Sequence, residues 1–426
     1  MGYEMDGCCP RRTAEEMEPK FLSPLAAKSR DARASRLHEY HPDDFRTEFE
    51  RDYTRILHSK AFRRLRHKTQ VFISPRNDHL CTRIEHSLYV ASISRTISKA
   101  LRLNNELVAA ISIGHDLGHA PFGHHGERVL DKIAKEHGIN SGHFWHEQQS
   151  LRVVDLLEPG SDRPRDAAPS APAGLNLTLP VRDGIACHYG ENLERELRPD
   201  RLKKHVLLQR DRDKPCTLEG CVVRCADIIS YLGRDLEDGM TVGLVKENLI
   251  PKIVRELLGT TNRTVIARLV HDLCRNRDDD TDAICFSQDV VQAAQQLKDF
   301  NNQHIYQSDI VRRHFGLLDY AIRMMFDQLT QKVQKHADDL DGLKQNSSPT
   351  HVHVLHEFLT RDLGLASIAE KDAPIHVLDY IAGMTDNFFL DTFSEMFRAD
   401  LEELFSVSHG LNHTISIPSV RIPTRP

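Results

Sequence analysis

The sequence lacks several features that would place it in a particular class of protein. Its 426 residues contain no apolar run approaching the about 20 residues of a membrane span, and Met1 to Arg12 contain no apolar core of a secretory signal. The nine cysteines form no CxxC pair, and their spacing matches no zinc signature. We therefore expect free thiols, a cytoplasmic location and no membrane partner.

Strong charge, strand patterns and repeats are also lacking. The formal net charge is −6, so the chain as a whole does not attract nucleic acid, and any phosphate binding must come from local clusters. The alternation typical of strands is scarce, whereas apolar residues recur at three- and four-residue spacing, as in Phe49, Tyr53 and Ile56. These patterns predict an all-α, mainly helical fold.

Composition divides the chain into four regions. Residues 1–42 are polar and basic and are predicted to form an N-terminal arm. Residues 43–240 contain the strongest helical patterns, interrupted at about 158–180 by a stretch rich in Pro, Ala, Ser and Gly that predicts a surface loop. Residues 241–406 are predicted to form an additional helical C-terminal region. The closely spaced prolines of residues 407–426 predict a tail without helix.

One short segment concentrates groups that can perform acid–base and metal chemistry. Residues 115–127 hold four histidines and two acids within 13 residues. Ile111, His115 and His119 are four residues apart and are predicted to share a helix face, which Pro121 then ends. A histidine followed directly by an aspartate offers an imidazole and a carboxylate, which suit a borderline divalent ion such as Mn, Fe or Zn.

Two further candidate ligands lie elsewhere in the chain. His86 lies on the strong helical segment before this cluster. Asp227 lies in an apolar helical segment, where a carboxylate is costly unless it is paired or bound to a metal. Tyr231 and Asp235 follow Asp227 at four and eight residues, so they are predicted to lie on the same helix face. One face can therefore carry a metal ligand and two groups for a substrate.

The order of these residues resembles a known family. His86, His115-Asp116 and Asp227 are similar to the H…HD…D signature of HD-domain phosphohydrolases. The strings FRRLRHKTQVF, TRIEHS, HDLGHAPFGHHGE, HEQQSLR and DIISYLGRDLEDG resemble, in order, the deoxyguanosine triphosphate triphosphohydrolase family. The His-Asp pair alone arises often by chance, whereas the long string with four ordered companions is specific. Beyond about residue 250 the resemblance is limited to helical character.

The resemblance implies the helical HD-domain fold, one divalent metal ion (Mn, Mg or Fe, with Zn or Ni as substitutes in a crystal) and a role for each matching residue. The residues that would ligate the metal are His86, His115, Asp116 and Asp227. The residues that would act in catalysis are His124 as general acid, Glu127 as the group that orients it, and His119. The residues that would bind substrate are Gln70, Arg83, His146, Tyr231 and Asp235.

The reaction that this resemblance implies is metal-dependent hydrolysis of a deoxynucleoside triphosphate, with dGTP as the best single choice. The products would be a deoxynucleoside and inorganic triphosphate, in control of dNTP pools. A metal polarises a phosphoryl oxygen and activates water, and a histidine can protonate the departing 5′-oxygen near neutral pH. The family further implies a homo-oligomer, hexameric or built from dimers, and an effector that is a nucleotide or single-stranded DNA.

Two other functions remain compatible with the residues. One is another HD-type phosphohydrolase, a nucleotidase or a phosphodiesterase, against which the sugar-binding pair Tyr231 and Asp235 argues. The other is a nucleotide-binding regulator without turnover. A sensor has no need of His124 and Glu127, so the complete metal and acid set argues against that function.

Two assignments to single groups of residues also stay open. His146 could be a core histidine with satisfied hydrogen bonds instead of a catalytic contact. The basic residues of the first string could form a solvated face, or they could gather phosphate or a nucleic acid strand, since such clusters supply affinity that is independent of sequence. These residues are Arg63, Arg64, Arg66 and Lys68.

Overall fold

The computed structural model describes residues 9–39, 45–72, 80–160, 174–190, 193–207, 209–210, 212–276, 281–344 and 350–408, with side chains as far as residue 397. Helices dominate, which confirms the prediction of an all-α fold. The strands β1 (Glu196–Leu197) and β2 (Ile284–Cys285) form one short antiparallel pair. None of the described helices is long and apolar enough to cross a membrane. The described cysteines are free thiols, as expected.

The described helices are divided into those up to residue 241, where the longest helix ends, and those after it. Those in the first part are α1 (Pro10–Phe21), α2 (Ser29–Ala32), α3 (Glu48–His58), α4 (Lys60–Arg64), α5 (Arg83–Leu101), α6 (Asn105–Gly114), α7 (Gly123–His137), α8 (His146–Arg152), α9 (Leu179–Ala186) and α10 (Leu218–Thr241). Those in the second part are α11 (Lys252–Leu257), α12 (Asn262–Arg275), α13 (Gln288–Asn301), α14 (Asp309–Arg312), α15 (Phe315–Lys335), α16 (Thr350–Glu357), α17 (Ala373–Ala382) and α18 (Asp386–Ser408).

Side-chain caps fix where the two central helices begin. Glu85 accepts hydrogen bonds from the backbone N–H and the hydroxyl of Thr82 at the start of α5 (2.8 and 2.9 Å). The Thr217 hydroxyl accepts a hydrogen bond from the backbone N–H of Gly220 at the start of α10 (3.1 Å). The two capped helices carry His86 and Asp227, which the sequence predicts to be metal ligands.

Buried apolar side chains form two clusters of different size, built from different sets of helices. The larger cluster joins α3, α5, α6, α9 and α10 with α12 and α13, so residues up to about 305 pack around the central helices. The smaller cluster joins α7 with α15, α16, α17 and α18. Packing therefore places residues 241–305 with the first core. The domain boundary at residue 240 stays a prediction from composition.

The predicted arm, loop and tail are described in part. Within the arm, α1 and α2 are helical, and Arg36 donates to Glu48 (2.7 Å) and Asp52 (2.6 Å) of α3. Of the predicted loop, residues 161–173 lie outside the described residues, and α9 already begins at Leu179. Residues 409–426 of the predicted tail also lie outside them.

The segment around the His-Asp pair is less helical than the spacing predicts. The helical pattern over Glu106 to Gly114 predicts the helix that α6 forms, but the helix face expected to continue through His115 and His119 to Pro121 is wrong, because the helix ends at Gly114. The reason is a contact with α8: the Ser150 hydroxyl donates to the His115 carbonyl (2.6 Å) and accepts from the Gly118 N–H (2.8 Å). These bonds replace helical ones. A side chain at Gly118 would prevent them, since its Cβ would lie 2.1 Å from the Ser150 nitrogen.

Candidate active site

The four residues predicted to bind a metal lie together in one buried centre. His86 comes from α5, His115 and Asp116 from the turn after α6, and Asp227 from α10. The Nε2 of His86 lies 2.8 Å from Asp227 Oδ1 and 3.8 Å from Asp116 Oδ2. The Nε2 of His115 lies 3.4 Å from Asp116 Oδ1 and 3.9 Å from Asp227 Oδ1. Ligand atoms at about 2.1 Å from one ion are separated by about 3–4 Å. The spacing of His86, His115 and Asp227 therefore fits a shared divalent cation, and the two oxygens of Asp116 each lie close to one of these histidines.

The hydrogen bonding of His115 also fits a metal. Its Nδ1 lies 2.6 Å from the carbonyl oxygen of Ser112, so Nδ1 carries the proton and Nε2 presents a lone pair. That Nε2 is buried and makes no hydrogen bond among the described residues. A buried polar atom left without a partner costs about 1–3 kcal/mol. A cation bound at this nitrogen would remove that cost.

The two carboxylates of the centre are held in the charged form. Burial would raise the pKa of Asp116, but the rings of His115 and His119 hold that pKa well below its ordinary value. Burial would likewise raise the pKa of Asp227, but the hydrogen bond and charge of His86 lower it. Both groups are therefore carboxylates at neutral pH, which is the form that binds a cation.

Arg83, the first residue of α5, reaches the same centre. Its Nη1 donates to Asp116 Oδ2 at 2.9 Å. Its Nε and Nη2 are buried and make no hydrogen bond among the described residues. Guanidinium donors pair strongly with phosphate oxygens, so Arg83 offers a phosphate two donors beside the metal ligands.

A second cluster of acid–base residues lies next to the metal centre. Glu127 accepts from the backbone N–H of His146 (3.1 Å) and lies 3.0 Å from its Nδ1, while its other oxygen lies 3.1 Å from His124 Nδ1. His119 stacks on His146 with ring centroids 3.9 Å apart, and its Nε2 lies 3.0 Å from Asp116 Oδ1. The His124 side chain is 69% exposed and that of Glu127 only 8%, so the histidine is the member that a substrate can reach.

The surroundings of His146 favour its charged form. Burial favours its neutral form, but Glu147 and Glu127 raise the pKa of His146 to about 9. Burial would also favour a protonated Glu127, but His146 and His124 hold the pKa of that carboxyl well below its ordinary value. The structure thus pairs a buried imidazolium with a buried carboxylate on the wall of a cavity, which is more than a core histidine requires.

The residues predicted to hold a sugar lie on another wall of that cavity. Tyr231 and Asp235 follow Asp227 along α10. The Tyr306 hydroxyl donates to Asp235 Oδ2 at 2.5 Å. Burial raises the pKa of Asp235 to about 7, and the Tyr306 hydrogen bond only partly opposes this shift. Gln70 lines the same cavity, and its Oε1 is buried without a hydrogen bond among the described residues.

A single cavity of about 550 Å³ unites these groups. Every residue that the sequence marks as a site residue lines it except His115, which lies behind its wall. Sequence reasoning missed several lining residues, because most of them belong to no motif or come from the region where the resemblance is only helical. Those missed include Arg128, Trp145, His188, Arg210, Lys298, Tyr306, Arg312 and Phe315.

Two segments of the chain match known protein families, and these matches give the class of protein. Residues 83–232 match the HD domain, and residues 284–395 match the phosphohydrolase-associated domain. The candidate metal centre lies within the first of these segments, and Tyr306 lies within the second. The class and the cluster of histidines and carboxylates together support a hydrolase that binds a divalent metal.

Curated relatives then define the family more narrowly. The chain is 38% identical to a deoxyguanosinetriphosphate triphosphohydrolase-like protein of Caldanaerobacter subterraneus subsp. tengcongensis, over 91% of this chain and 95% of that protein. Proteins of the same name from Desulfatibacillum aliphaticivorans and Clostridium tetani are 34% and 31% identical, over 91% of this chain and 97% and 96% of those proteins. The chain belongs to the HD-domain family of deoxyguanosinetriphosphate triphosphohydrolase-like proteins.

Proposed function

We propose that this protein hydrolyses deoxynucleoside triphosphates, dGTP first among them, to a deoxynucleoside and inorganic triphosphate, and so acts in control of dNTP pools. The observation that supports this most directly is the shared cavity of about 550 Å³, which brings a metal centre, an acid–base cluster and a sugar wall together. The name of the relatives points to the same class of substrate.

The metal would be held by the three residues His86, His115 and Asp227 together with Asp116. A set of imidazoles and carboxylates suits Mn or Fe, and its oxygens also accept Mg. Bound there, a divalent ion polarises a phosphoryl oxygen and activates water. The buried carboxylates are already charged, so no proton has to leave them when the ion binds.

The phosphates and the leaving group are handled by side chains around the metal. Arg83 directs its remaining donors to the triphosphate, and the imidazolium of His146 adds positive charge beside it. His119 contacts the reacting centre from its place between Asp116 and His146. His124 protonates the departing 5′-oxygen, and Glu127 orients that ring through the 3.1 Å contact.

The sugar is recognised on the opposite wall. Tyr231 packs under the deoxyribose and leaves no room for a 2′-hydroxyl. Asp235 accepts a hydrogen bond from the 3′-hydroxyl, and Gln70 approaches the same edge through its unpaired Oε1. The same residues would exclude substrates whose sugar carries an additional hydroxyl.

Identification of the products tests the proposed reaction. We expect incubation of the four dNTPs with Mn²⁺ to yield deoxynucleosides and inorganic triphosphate, measured by chromatography and phosphorus NMR. Asp116→Ala should remove both bound metal and turnover. Release of inorganic phosphate from a nucleoside monophosphate would identify a nucleotidase, and opening of a cyclic nucleotide to a monophosphate would identify a phosphodiesterase. Tight binding of a nucleotide without product would identify a regulator. Full metal occupancy in Asp116→Ala, by elemental analysis, would overturn the metal assignment.

We also propose that an anionic effector, a nucleotide or single-stranded DNA, binds at a second, basic cavity of about 390 Å³. This cavity includes Arg63 from the basic string, whereas Lys68 is buried and donates to the carbonyl of Ala382 (2.8 Å). The other basic residues that line the cavity are Arg46, Arg51, Arg55, His58 and Lys60. Fluorescence anisotropy with a labelled single-stranded oligonucleotide tests this site. Arg63→Glu should weaken binding of the oligonucleotide if the oligonucleotide occupies this cavity.

A further inference from the structure

His188 lies two residues after the end of α9 and is 2% exposed, and no motif singles it out. Its ring centroid lies 4.9 Å from that of His115 at an angle of 79°. One ligand atom from each of His115, Asp116 and His188 lies within 4.8 Å of the other two. We propose that His188 is a further protein ligand of the divalent metal. This inference rests on the metal centre of the proposed function and not on its substrate.

The hydrogen bonding of His188 matches that of His115. In each ring, Nδ1 lies 2.6 Å from the carbonyl oxygen three residues earlier, that of Ile185 for His188 and that of Ser112 for His115. A carbonyl oxygen only accepts hydrogen bonds, so each Nδ1 carries the proton and each Nε2 presents its lone pair. This orientation by a backbone carbonyl is typical of histidines that bind metals through Nε2.

The close approach of α9 to α6 brings the two histidines together. A Cβ on Gly184 would lie 2.5 Å from Cδ1 of Ile111, and a Cβ on Gly114 would lie 2.6 Å from Cδ1 of Ile185. Each helix thus has a glycine where the isoleucine of the other packs. Because neither helix carries a side chain at that point, the histidines that follow the two helices reach one site.

His188 has one competing contact. Its Nε2 lies 3.2 Å from Nε2 of His146, so His188 could instead serve only to orient that ring. The two roles use the same lone pair, because Nδ1 is already committed to the Ile185 carbonyl. They differ in what the loss of the ring removes: metal affinity in the first case, and only the placement of His146 in the second.

A fifth ligand also changes which ions the centre prefers. His188 forms one group of ligand atoms with His115 and Asp116, and His86, His115 and Asp227 form another. An ion bound by both groups would have three imidazoles and two carboxylates, a set that suits Mn, Fe or Co better than the oxygen-preferring Mg. We therefore expect loss of His188 to weaken binding of Mn²⁺ and Co²⁺ by on the order of tenfold or more. The affinity for Mg²⁺ should fall less, so the preference of the centre for Mn²⁺ and Co²⁺ over Mg²⁺ should become smaller.

The test uses the full-length protein freed of metal and then titrated with Mn²⁺, Co²⁺ or Mg²⁺ by calorimetry. His188→Ala should raise the Kd for Mn²⁺ and Co²⁺ and alter the visible spectrum of the Co²⁺ form, which reports coordination number. His125→Ala is the matched control, since this buried histidine contacts Phe315 (ring centroids 3.7 Å apart) and pairs with Asp319 (2.6 Å). Its affinities and spectrum should equal those of the wild type.

Two further measurements keep the outcomes distinct. If circular dichroism shows that His188→Ala does not fold, His188→Gln takes its place, because glutamine retains most of the side-chain volume. This variant should show the loss of Mn²⁺ affinity expected of His188→Ala. Wild-type affinity and an unchanged Co²⁺ spectrum in the folded variants would overturn the inference. A wild-type protein that binds metal but does not hydrolyse dNTPs would refute the proposed function and leave this inference standing.

Discussion

Two aspartates that line the cavity have pKa values shifted in opposite directions. Asp227 is partly buried, and its pKa is nevertheless lowered by His86, whereas burial raises the pKa of Asp235 to about 7 on the same helix. The first carboxylate faces imidazoles, and the second faces a tyrosine hydroxyl. Two aspartates eight residues apart can thus serve as a permanent cation ligand and as a group that titrates near neutral pH.

Tyr231 should decide between deoxyribose and ribose. Because a ring packed under the sugar leaves no space for a 2′-hydroxyl, we expect the wild-type protein to use dGTP at least about tenfold more efficiently than GTP. Tyr231→Ala should relax this preference without loss of bound metal, whereas Asp235→Ala should weaken turnover of both nucleotides. Values of kcat/KM for dGTP and GTP measure the effect. Equal efficiency in the wild type would refute the sugar wall.

Tyr306 should set the pH at which Asp235 becomes active. Its hydrogen bond favours the carboxylate, so Tyr306→Phe leaves burial unopposed and raises the pKa of Asp235 above its wild-type value of about 7. Turnover that needs the carboxylate rises as pH passes through this pKa. The acid limb of the kcat/KM profile should therefore move to higher pH, by about one pH unit.

A matched variant separates this effect from a general loss of packing. Asp235→Asn cannot titrate, so its profile should lack that limb while the remaining activity stays measurable. An acid limb at the same pH in wild type and Tyr306→Phe would show that another group controls it.

Site residues were predictable from the sequence where they belong to the ordered strings that resemble the family. His86, His115, Asp116 and Asp227 were grouped by their order, and the structure brings them together. His188 was missed because it belongs to none of the strings that resemble the family, and its meeting with His115 depends on two glycines that let α6 and α9 approach. The close approach of the two helices results from tertiary packing, and no sequence motif that includes His188 predicts it.

At the scale of helices and turns, two carboxylates of the C-terminal region hold elements that carry residues predicted to be catalytic. Asp386, the first residue of α18, accepts from the backbone N–H of Phe122 (2.9 Å) and from the N–H (3.1 Å) and hydroxyl of Thr69. Phe122 precedes α7 with φ of 63°, a left-handed conformation that costs a non-glycine residue about 1–2 kcal/mol. The hydrogen bond to Asp386 helps to hold this strained turn.

The second carboxylate acts on α8. Asp379 of α17 lies 2.7 Å from Arg152 Nη2 and accepts from the amide of Gln149 at 2.9 Å. These residues follow His146 on the same helix. Helices α17 and α18 thus contact both elements that bring histidines to the acid–base cluster, although they lie more than 200 residues later in the chain. No local pattern in the sequence could have indicated these contacts.

Removal of Asp386 should therefore disturb catalysis more than binding. In Asp386→Ala the Phe122 N–H loses its partner, the turn before α7 loosens, and His124 is no longer held against the leaving group. We expect kcat to fall on the order of tenfold, with KM and metal content close to wild type. Asp386→Asn should recover part of the loss, because its amide oxygen can still accept the Phe122 N–H.

Glu395→Ala provides the matched control on the same helix. Glu395 accepts from the backbone N–H groups of Thr350 (2.9 Å) and His351 (3.0 Å), bonds that stay within the C-terminal region. Hydrogen exchange of the peptide covering residues 119–127 should quicken in Asp386→Ala and not in Glu395→Ala. An equal fall of kcat in both variants would indicate a general loss of stability instead of a positioning role.

Helix type was predictable, but helix ends were not always so. The amphipathic spacing within α5 and α10 identified both as helices, because a stripe of apolar residues must face a core. The pattern over residues 106–114 predicted α6 with its end at Gly114, but the helix face expected to continue to His119 does not form, since the Ser150 hydroxyl of another helix binds the turn that follows. Ends fixed by side chains within a few residues can be read locally, and ends fixed by tertiary contacts cannot.

In the molecule as a whole, α7 joins the two halves. Its apolar face packs with the C-terminal helices, while its first turn presents His124 to the cavity. The segment after α13 closes the same cavity through Tyr306 from the other side. The sequence indicated a helical C-terminal region without a role, because the resemblance there is weak. In the structure, that region contributes residues between Lys298 and Phe315 to the lining of the cavity.

The surface next to the cavity leads to a prediction about assembly. Leu317 and Tyr320 on α15 are 71% and 60% exposed, and Ile310 on α14 is 52% exposed. The neighbouring Phe315 and Arg312 line the cavity. Full burial of a leucine side chain is worth about 1.5–3 kcal/mol, so an apolar group of this kind favours association of copies of the chain.

We therefore expect a homo-oligomer, dimeric or hexameric, whose contacts include this surface. Leu317→Lys combined with Tyr320→Lys should shift the protein to smaller species, because two charges would have to be desolvated in the interface. Leu202→Lys is the control, since Leu202 is 89% exposed on another part of the chain and should tolerate a charge. Light scattering coupled to size exclusion at micromolar concentration measures each mass. A wild-type mass of 48.6 kDa, that of one chain, would refute the prediction.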